Sequence, residues 1–350
     1  MSRVVKTVVA IVSVALPGSL GFLYWYHRRQ MKACREADEK RNDQGNHECE
    51  VMANCNAESM EASLIWKKCT KHPGHSTFIP VEDFSITHLP NIYQSPELVE
   101  IIENVASRTV RLRVKDTSPA RPDGYVFSRY HGRNITHTGT GWVRDIHDGQ
   151  GPCRCPDCAS KQTPMTRWWL VRIHTACHVV YDTLEAKVTS VDINSNHKIS
   201  GLAGKAMTMN GLKVISKNEE QDLCRFYCAT HDEILVDWLQ TFTAQWEHLS
   251  SKKLTVADNA YSAFCVVVSH PHGQAKCVTI GKWKKCSEQN EIGECAQMYT
   301  TDTCRGSSGA PVILLKNLRG PGGWVPTIFP HSQTLDDGLN QSAIGGMRSY

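Results

Sequence analysis

The chain has 350 residues, of which 41% are hydrophobic and 21% charged. This composition is ordinary for a globular protein and excludes a mainly disordered chain or a multi-pass membrane protein. The formal net charge is only +4, without a dense basic stripe, so no nucleic-acid partner is expected. The number of cysteines is 15, which leaves at least one thiol free if all the others form disulfides.

The first feature along the chain is a run of uncharged, mostly apolar residues at positions 7–26. A helix of this length can cross a bilayer at 1.5 Å per residue. Its aromatic end, Tyr24 to Tyr26, is followed by the basic residues Arg28 and Arg29. We therefore predict an N-terminal transmembrane helix within residues 1–30, which would contact the lipid bilayer through residues 7–26. The side of the membrane on which the rest lies stays open, and the alternative is a signal peptide on a secreted protein.

Residues 31–95 form a polar segment that contains several cysteines. The segment shows no apolar periodicity strong enough to predict a core. We therefore expect a stalk or linker between the membrane anchor and the main domain.

The main domain, residues 96–350, opens with a helix signal. Ser95 can cap a helix whose first residue is Pro96. From residue 110 to residue 114 the period changes to two, which predicts a half-buried strand. The sequence therefore predicts a short helix directly before the first strand of a β-rich domain.

Short strands separated by turn residues continue to the C-terminus, interrupted once. Between residues 238 and 249 apolar side chains recur at helical spacing, which predicts a helical connector. The fold class is therefore mainly β, with two packed barrels or sandwiches at about 108–237 and about 252–350.

Three segments carry the strongest chemical signals. Ser308 lies between Gly306 and Gly309, in a turn whose backbone amides can point at one developing negative charge. His178 directly follows an apolar strand and is a candidate general base. Asp232 precedes the apolar run Ile-Leu-Val and is a candidate carboxylate to orient that histidine.

These segments resemble the motifs of chymotrypsin-like serine peptidases. GSSGAP resembles their GxSGGP signature, HTACHVV resembles their TAxH motif, and DEILV resembles the segment after their aspartate. The likeness extends from about residue 109 to the C-terminus, and the order His…Asp…Ser is that of the family. No Ile-Val-Gly-Gly segment is present, so the chain is more similar to the branch without zymogen-type activation, which includes the glutamyl endopeptidases.

The resemblance implies a double β-barrel and a serine endopeptidase that acts on polypeptides through an acyl-enzyme, without a cofactor for catalysis. It implies His178 as general base, Asp232 as its orienting group and Ser308 as nucleophile. The amides of Gly306 and Ser308 would be the oxyanion donors. The alternative is a catalytically inactive homologue that serves as a binding module.

The same resemblance offers two substrate-pocket residues. Asp302 lies six residues before Ser308, where trypsin-like members carry the acid that binds Arg or Lys. His331 lies where the glutamyl branch places a histidine that faces acidic or amide side chains. For the residue on the acyl side of the cut bond, a preference for Arg or Lys through Asp302 and one for Glu or Gln through His331 both stay open.

Three cysteines, Cys153, Cys155 and Cys158, lie within six residues of a polar insertion. Three thiolates so close can bind one tetrahedral structural zinc ion. The alternative is a disulfide pair with one further bond to a distant cysteine. Candidates for a fourth ligand are His147, His174 and Cys177.

Overall fold

A computed structural model of the chain describes residues 17–53, 58–133, 135–194, 206–251, 264–291, 293–317 and 324–345. The helices are α1 (Pro17–Asn42), α2 (Glu58–Lys67), α3 (Pro96–Arg108), α4 (Pro156–Ala159), α5 (Thr183–Lys187) and α6 (Glu233–Ser251). The strands are β1 (Glu50–Met52), β2 (Ile79–Pro80), β3 (Thr109–Val114), β4 (Thr136–Asp148), β5 (Trp169–Thr175), β6 (Thr189–Asn194), β7 (Ala206–Asn218), β8 (Leu223–Thr230), β9 (Phe264–Ser269), β10 (Cys277–Cys286), β11 (Gln297–Tyr299), β12 (Pro311–Asn317), β13 (Trp324–Thr334) and β14 (Asn340–Ser342).

The strands close into two antiparallel barrels. The first follows the order β4-β3-β6-β7-β8-β5 and closes through the pairing of β5 with β4. The second follows the order β11-β14-β13-β12-β9-β10 and closes through the pairing of β10 with β11. The predicted mainly β double barrel is therefore confirmed.

The apolar pattern of the strands explains the barrel cores. On β3, Val110, Leu112 and Val114 are fully buried, while Arg111 and Arg113 between them are half-buried. Alternation of this kind turns one face of a strand inward and the other toward solvent. In the second barrel all six residues of β9 are buried, because one face of the strand packs against the other strands and the opposite face packs against α3 and α6.

Two predicted helices are present: α3, expected directly before the first strand of the first barrel, and α6, expected as the connector between the barrels. At the start of α3, the Ser95 hydroxyl accepts a hydrogen bond from the Leu98 amide at 3.1 Å. Farther along α3, Asn104 donates from Nδ2 to the Phe242 carbonyl of α6 at 2.9 Å. The Trp246 side chain of α6 is buried in the core that the second barrel shares with α3.

Residues 31–95 are not the stalk that the sequence predicts. Strand β1 pairs with β4 of the first barrel, and β2 pairs with β10 of the second. Cys49, Val51 and Met52 are fully buried. The prediction failed because each contact with a barrel uses only two or three residues, too few for a detectable period.

Half of the predicted membrane span at residues 7–26 falls outside the described residues, since the described part of the chain starts at Pro17. Among the residues that are described, no helix is both long and apolar enough to span a membrane. The anchor therefore stays a prediction from the sequence.

A buried ion pair holds the segment that carries His178. Arg121 donates to both carboxylate oxygens of Glu185, at 2.6 and 2.8 Å, and also to the carbonyl of His178 at 3.0 Å. Both side chains of the pair are at most 1% exposed. Glu185 also accepts hydrogen bonds from the amides of Ser118 and Tyr181. The pair thus connects two loops, which carry Arg121 and His178, to the short helix α5 that carries Glu185.

We predict that Glu185→Gln lowers the free energy of unfolding by about 3 kcal/mol, because it leaves the buried Arg121 guanidinium without its counter-charge. The matched control is Glu233→Gln, which removes an exposed ion pair with Arg167 and should cost less than about 1 kcal/mol. Urea unfolding of both variants measures the difference. Equal losses in the two variants would contradict the prediction.

Candidate active site

The Ser308 loop joins β11 to β12, and two glycines fix its shape. Gly306 has φ +97° and Gly309 has φ +80°, both in the left-handed region that favours glycine. A Cβ atom on Gly306 would lie 2.4 Å from the His270 carbonyl oxygen, and one on Gly309 would lie 2.1 Å from Thr175 Oγ1. Neither position can accept a side chain without movement of the backbone around it.

His178 lies in the turn after β5 and contacts Ser308. Its Nε2 is 2.6 Å from Ser308 Oγ, and its Nδ1 is 2.8 Å from Oδ2 of Asp222. The same aspartate accepts a hydrogen bond from the backbone amide of His178 at 3.0 Å and one from Ser332 Oγ at 2.6 Å. Ser308, His178 and Asp222 therefore form one continuous line of hydrogen bonds.

Asp222, and not the predicted Asp232, accompanies His178. Asp222 lies in the turn just before β8, and β8 pairs with β5 so that Cys224 faces Thr175. His178 follows β5 and Asp222 precedes β8 at this same end of the strand pair, so the two residues meet. Asp232 lies beyond the opposite end of β8, where its Oδ1 accepts the amide of Leu235 at 3.1 Å and caps α6. The prediction failed because Ile-Leu-Val was taken for a strand, whereas it forms the first turns of a helix.

The charges at this site influence each other strongly. Burial alone would lower the pKa of His178, but the Asp222 carboxylate and the Cys49 sulfur raise it above its usual value. Burial alone would raise the pKa of Asp222, but His178 lowers it to about 2. The Asp222 carboxylate thus stabilises the positive charge that His178 acquires when its Nε2 accepts a proton.

A segment of the chain itself occupies the site. The carbonyl oxygen of Glu48 accepts hydrogen bonds from the amide of Gly306 at 2.6 Å and from that of Ser308 at 3.3 Å. The amide of Glu48 donates to Ser308 Oγ at 2.9 Å. The ring of His47 stacks on that of His178, with ring centroids 4.0 Å apart. The amides predicted as oxyanion donors therefore already bind a peptide carbonyl.

The side chain of Glu48 enters a buried polar pocket. His331 Nε2 lies 2.8 Å from Glu48 Oε2, and Lys71 Nζ lies 2.5 Å from Oε1. On the other side of the ring, the Tyr299 hydroxyl lies 2.6 Å from His331 Nδ1. Because burial lowers the pKa of His331, the ring is neutral at pH 7. If Tyr299 donates to Nδ1, then Nε2 carries the hydrogen and donates to the Glu48 carboxylate.

The other predicted pocket residue, Asp302, does not face Glu48. Its Oδ2 accepts a hydrogen bond from Thr77 Oγ1 at 2.7 Å, and its Oδ1 lies 4.0 Å from His72 Nε2. Its side chain is one-third exposed. The offset of six residues from Ser308 was therefore not enough to place this acid in the pocket, because its carboxylate faces Thr77 and His72 instead.

The three predicted metal-ligand cysteines, Cys153, Cys155 and Cys158, are buried, and the half-buried His231 lies beside them as a fourth group. The four ligand atoms lie within 4.8 Å of one another, with Cys158 Sγ 3.3 Å from His231 Nε2. None of these three cysteines forms a disulfide with another described residue. Such a set could hold a tetrahedral ion. The sequence pointed to other fourth ligands because His231 is distant along the chain and reaches the cluster only through the end of β8.

The Glu48 contacts predict a specific pH dependence of stability. Burial alone would raise the pKa of Glu48, but the hydrogen bond from His331 and the charge of Lys71 hold it well below its usual range. A lowered pKa in the folded state contributes stability above the unfolded pKa of about 4.3, and this contribution is lost as the pH falls below it.

We therefore predict that, between about pH 5 and pH 2, the free energy of unfolding falls less in Glu48→Gln than in the parent. Urea unfolding at several pH values, with the exposed Glu39→Gln as control, measures this difference. A Glu48→Gln protein with the same slope against pH as the parent would contradict it. Because the active site could cut the chain, both variants are compared in a Ser308→Ala background.

No protein-family model matches the chain, and no curated protein matches it. Among solved structures, the chain is similar to Deg5, with 15% identity, a TM-score of 0.39, and coverage of 73% of this chain and 90% of that chain. It is also similar to the Rv3671c protease from M. tuberculosis in its active form, with 16% identity, a TM-score of 0.34, and coverage of 71% and 82%. The HtrA-type protease AlgW with a tripeptide shares 11% identity at a TM-score of 0.34, and the likeness covers 69% of this chain and 57% of that chain. The double-barrel fold rests on the strand pairings of the chain itself.

Proposed function

We propose that the protein is a serine endopeptidase in which Ser308 is the nucleophile, His178 the general base and Asp222 the group that orients it. The observation that carries this proposal is the position of Glu48. Its carbonyl oxygen binds the amides of Gly306 and Ser308 while Ser308 Oγ stays within hydrogen-bond distance of His178. This arrangement is that of a peptide substrate whose acyl-side residue is Glu48.

The proposed reaction follows from these contacts. Ser308 Oγ attacks the carbonyl carbon of Glu48, and its proton passes to Nε2 of His178. The negative charge on the carbonyl oxygen is stabilised by the amides of Gly306 and Ser308. Collapse of this intermediate breaks the bond to Cys49, whose nitrogen takes the proton from His178, and leaves an ester between Ser308 and Glu48. Water, activated by His178, then hydrolyses the ester and releases the Glu48 carboxylate.

The proposed substrate class is a peptide with glutamate on the acyl side of the cut bond. The pocket supplies a neutral donor from His331 and a positive charge from Lys71, and together they bind both carboxylate oxygens of Glu48. A lysine or arginine side chain in the same place would meet Lys71 and would find no carboxylate among these contacts. Hydrogen bonds to a charged group are worth about 1.5–3 kcal/mol each, which is enough for selectivity.

The first proposed substrate is the chain's own Glu48–Cys49 bond. Cleavage there creates a new N-terminus at Cys49, directly before β1. The alternative, an inactive homologue whose pocket merely binds the segment, uses the same contacts without chemistry. Intact-mass analysis over time separates the two.

We predict that the parent chain is cut between Glu48 and Cys49, and that Ser308→Ala and Asp222→Asn slow the cut by at least about 10⁴-fold. Asp232→Asn is the matched control and should be cut at the parent rate, since Asp232 only caps α6. N-terminal sequencing and mass spectrometry of the purified chains give the measurement. Cutting of the Ser308→Ala chain at the parent rate would refute the nucleophile, and an intact parent chain would support the inactive homologue.

We also predict that His331→Ala lowers kcat/KM for glutamyl peptides by about 10- to 100-fold relative to glutaminyl peptides. Asp302→Ala is the control, because its carboxylate bonds to Thr77 and not to the pocket. Three peptides that differ only in Glu, Gln or Lys before the cut bond are compared. A lysyl preference that disappears in Asp302→Ala would reverse the assignment of the pocket.

The membrane anchor over residues 7–26 stays a separate proposal, which rests on the sequence alone. Flotation of the full chain with lipid vesicles, compared with a chain that starts at Met31, tests it.

A further inference from the structure

Behind the Ser308 loop lies a second group of buried metal-ligand side chains that the proposed reaction does not use. It consists of Cys69, His75, His272 and Cys304, whose ligand atoms lie within 4.8 Å of one another. His75, His272 and Cys304 are at most 4% exposed, and Cys69 is half-buried. We propose that these four residues form a tetrahedral zinc site with two thiolates and two imidazoles.

The distances agree with such a site. Zinc binds sulfur at about 2.3 Å and imidazole nitrogen at about 2.0–2.1 Å, so a tetrahedron has sulfur–sulfur edges of about 3.8 Å and sulfur–nitrogen edges of about 3.5 Å. Cys69 Sγ lies 3.8 Å from Cys304 Sγ, and His75 Nε2 lies 3.5 Å from Cys304 Sγ. A disulfide would need a separation of about 2.0 Å between the two sulfurs.

The second imidazole has a nitrogen without a protein partner. His272 Nδ1 is 2.8 Å from Glu50 Oε2, whereas its Nε2 is buried and has no hydrogen-bond partner among the described residues. A buried ring nitrogen without a partner is unfavourable. A metal-binding histidine characteristically donates its other N–H to a carboxylate, as His272 can to Glu50, and presents its free nitrogen to the ion.

Charge and surroundings also suit zinc. Two thiolates neutralise the charge of Zn²⁺, so the complete site carries no net charge into the interior. The Trp66 ring stacks on His75 at a centroid distance of 3.7 Å and meets the edge of His272 at 6.1 Å. These contacts shield one side of the cluster from water and fix the orientation of both imidazoles.

The position of the cluster gives it a structural role for the active site. Cys304 precedes Ser308 by four residues, and the amide of His272 donates to the Arg305 carbonyl at 2.5 Å. Cys69 and His75 belong to the segment that carries Lys71, which binds Glu48. The ion would therefore connect the Ser308 loop to the segment that forms the substrate pocket, and it would not contact the reacting atoms.

The test counts metal in a chain without a histidine tag, purified under reducing conditions. A Cys158→Ser background removes the first cysteine cluster, so that about one zinc per chain is expected from the proposed site. Adding Cys69→Ser should lower this to near zero. Adding Cys286→Ser, a half-buried thiol outside both clusters, should leave it unchanged. Circular dichroism verifies that each variant is folded.

A second measurement uses chains in the Ser308→Ala background. Zinc should protect Cys69 from alkylation, a chelator should abolish this protection, and Cys34 should react equally fast in both states. Cobalt substitution should also give a thiolate-to-cobalt charge-transfer band that weakens in Cys69→Ser. A folded Cys158→Ser chain without zinc, together with alkylation of Cys69 at equal rates with and without zinc, overturns the proposal.

Discussion

Two backbone amides, those of Gly306 and Ser308, are the groups on which the arrangement of the site depends. Both point at one spot because Gly306 adopts a conformation that other residues rarely reach, packed against the backbone of the turn at residues 270–273. A peptide carbonyl is the natural acceptor for such a pair, and the chain supplies one from Glu48. The same short segment places the ring of His47 over that of His178 and the side chain of Glu48 against His331.

This constraint also explains why the first part of the chain packs against both barrels. The Glu48 segment can occupy the site only if the residues on each side of it are held. On one side α1 contributes Lys40, which is fully buried and donates to Thr117 Oγ1 at 2.9 Å. On the other side β1 pairs with β4, so that Glu50 faces Thr138. Burying a lysine is costly unless it finds partners, and Lys40 finds its partners inside the first barrel.

Local signals in the sequence were sufficient for the barrels and for two of the three residues in the hydrogen-bonded line. The alternation on β3, the cap at Ser95 and the helical spacing in α6 depend on neighbours along the chain. His178 and Ser308 lie in short segments of characteristic sequence. Asp222 has no such signal, because only the register between β5 and β8 brings it to His178. The clue would have been a carboxylate in the turn before β8, the strand that pairs with β5, because β5 leads to His178.

The other features of the structure that the sequence did not predict also depend on long-range contacts. Cys304 and Cys69 meet across 235 positions, and Glu48 meets His331 across 283 positions. No pattern within a short window of sequence encodes such pairs. The grouping of Cys153, Cys155 and Cys158 could be predicted from their closeness in the sequence, whereas their neighbour His231 could not, since it lies 73 residues from Cys158.

The pairing of β1 with β4 has a kinetic consequence for any cut at Glu48. The amine released at Cys49 stays one residue from a strand that is still bound to the barrel, so it remains beside the ester on Ser308 at a very high effective concentration. Attack by this amine re-forms the original peptide bond in competition with attack by water. The two fragments then separate for good only if β1 dissociates from β4 or if the fragment that ends at Glu48 leaves the pocket. The strength of a three-residue strand pairing, more than the speed of bond breaking, would set how quickly the two pieces part.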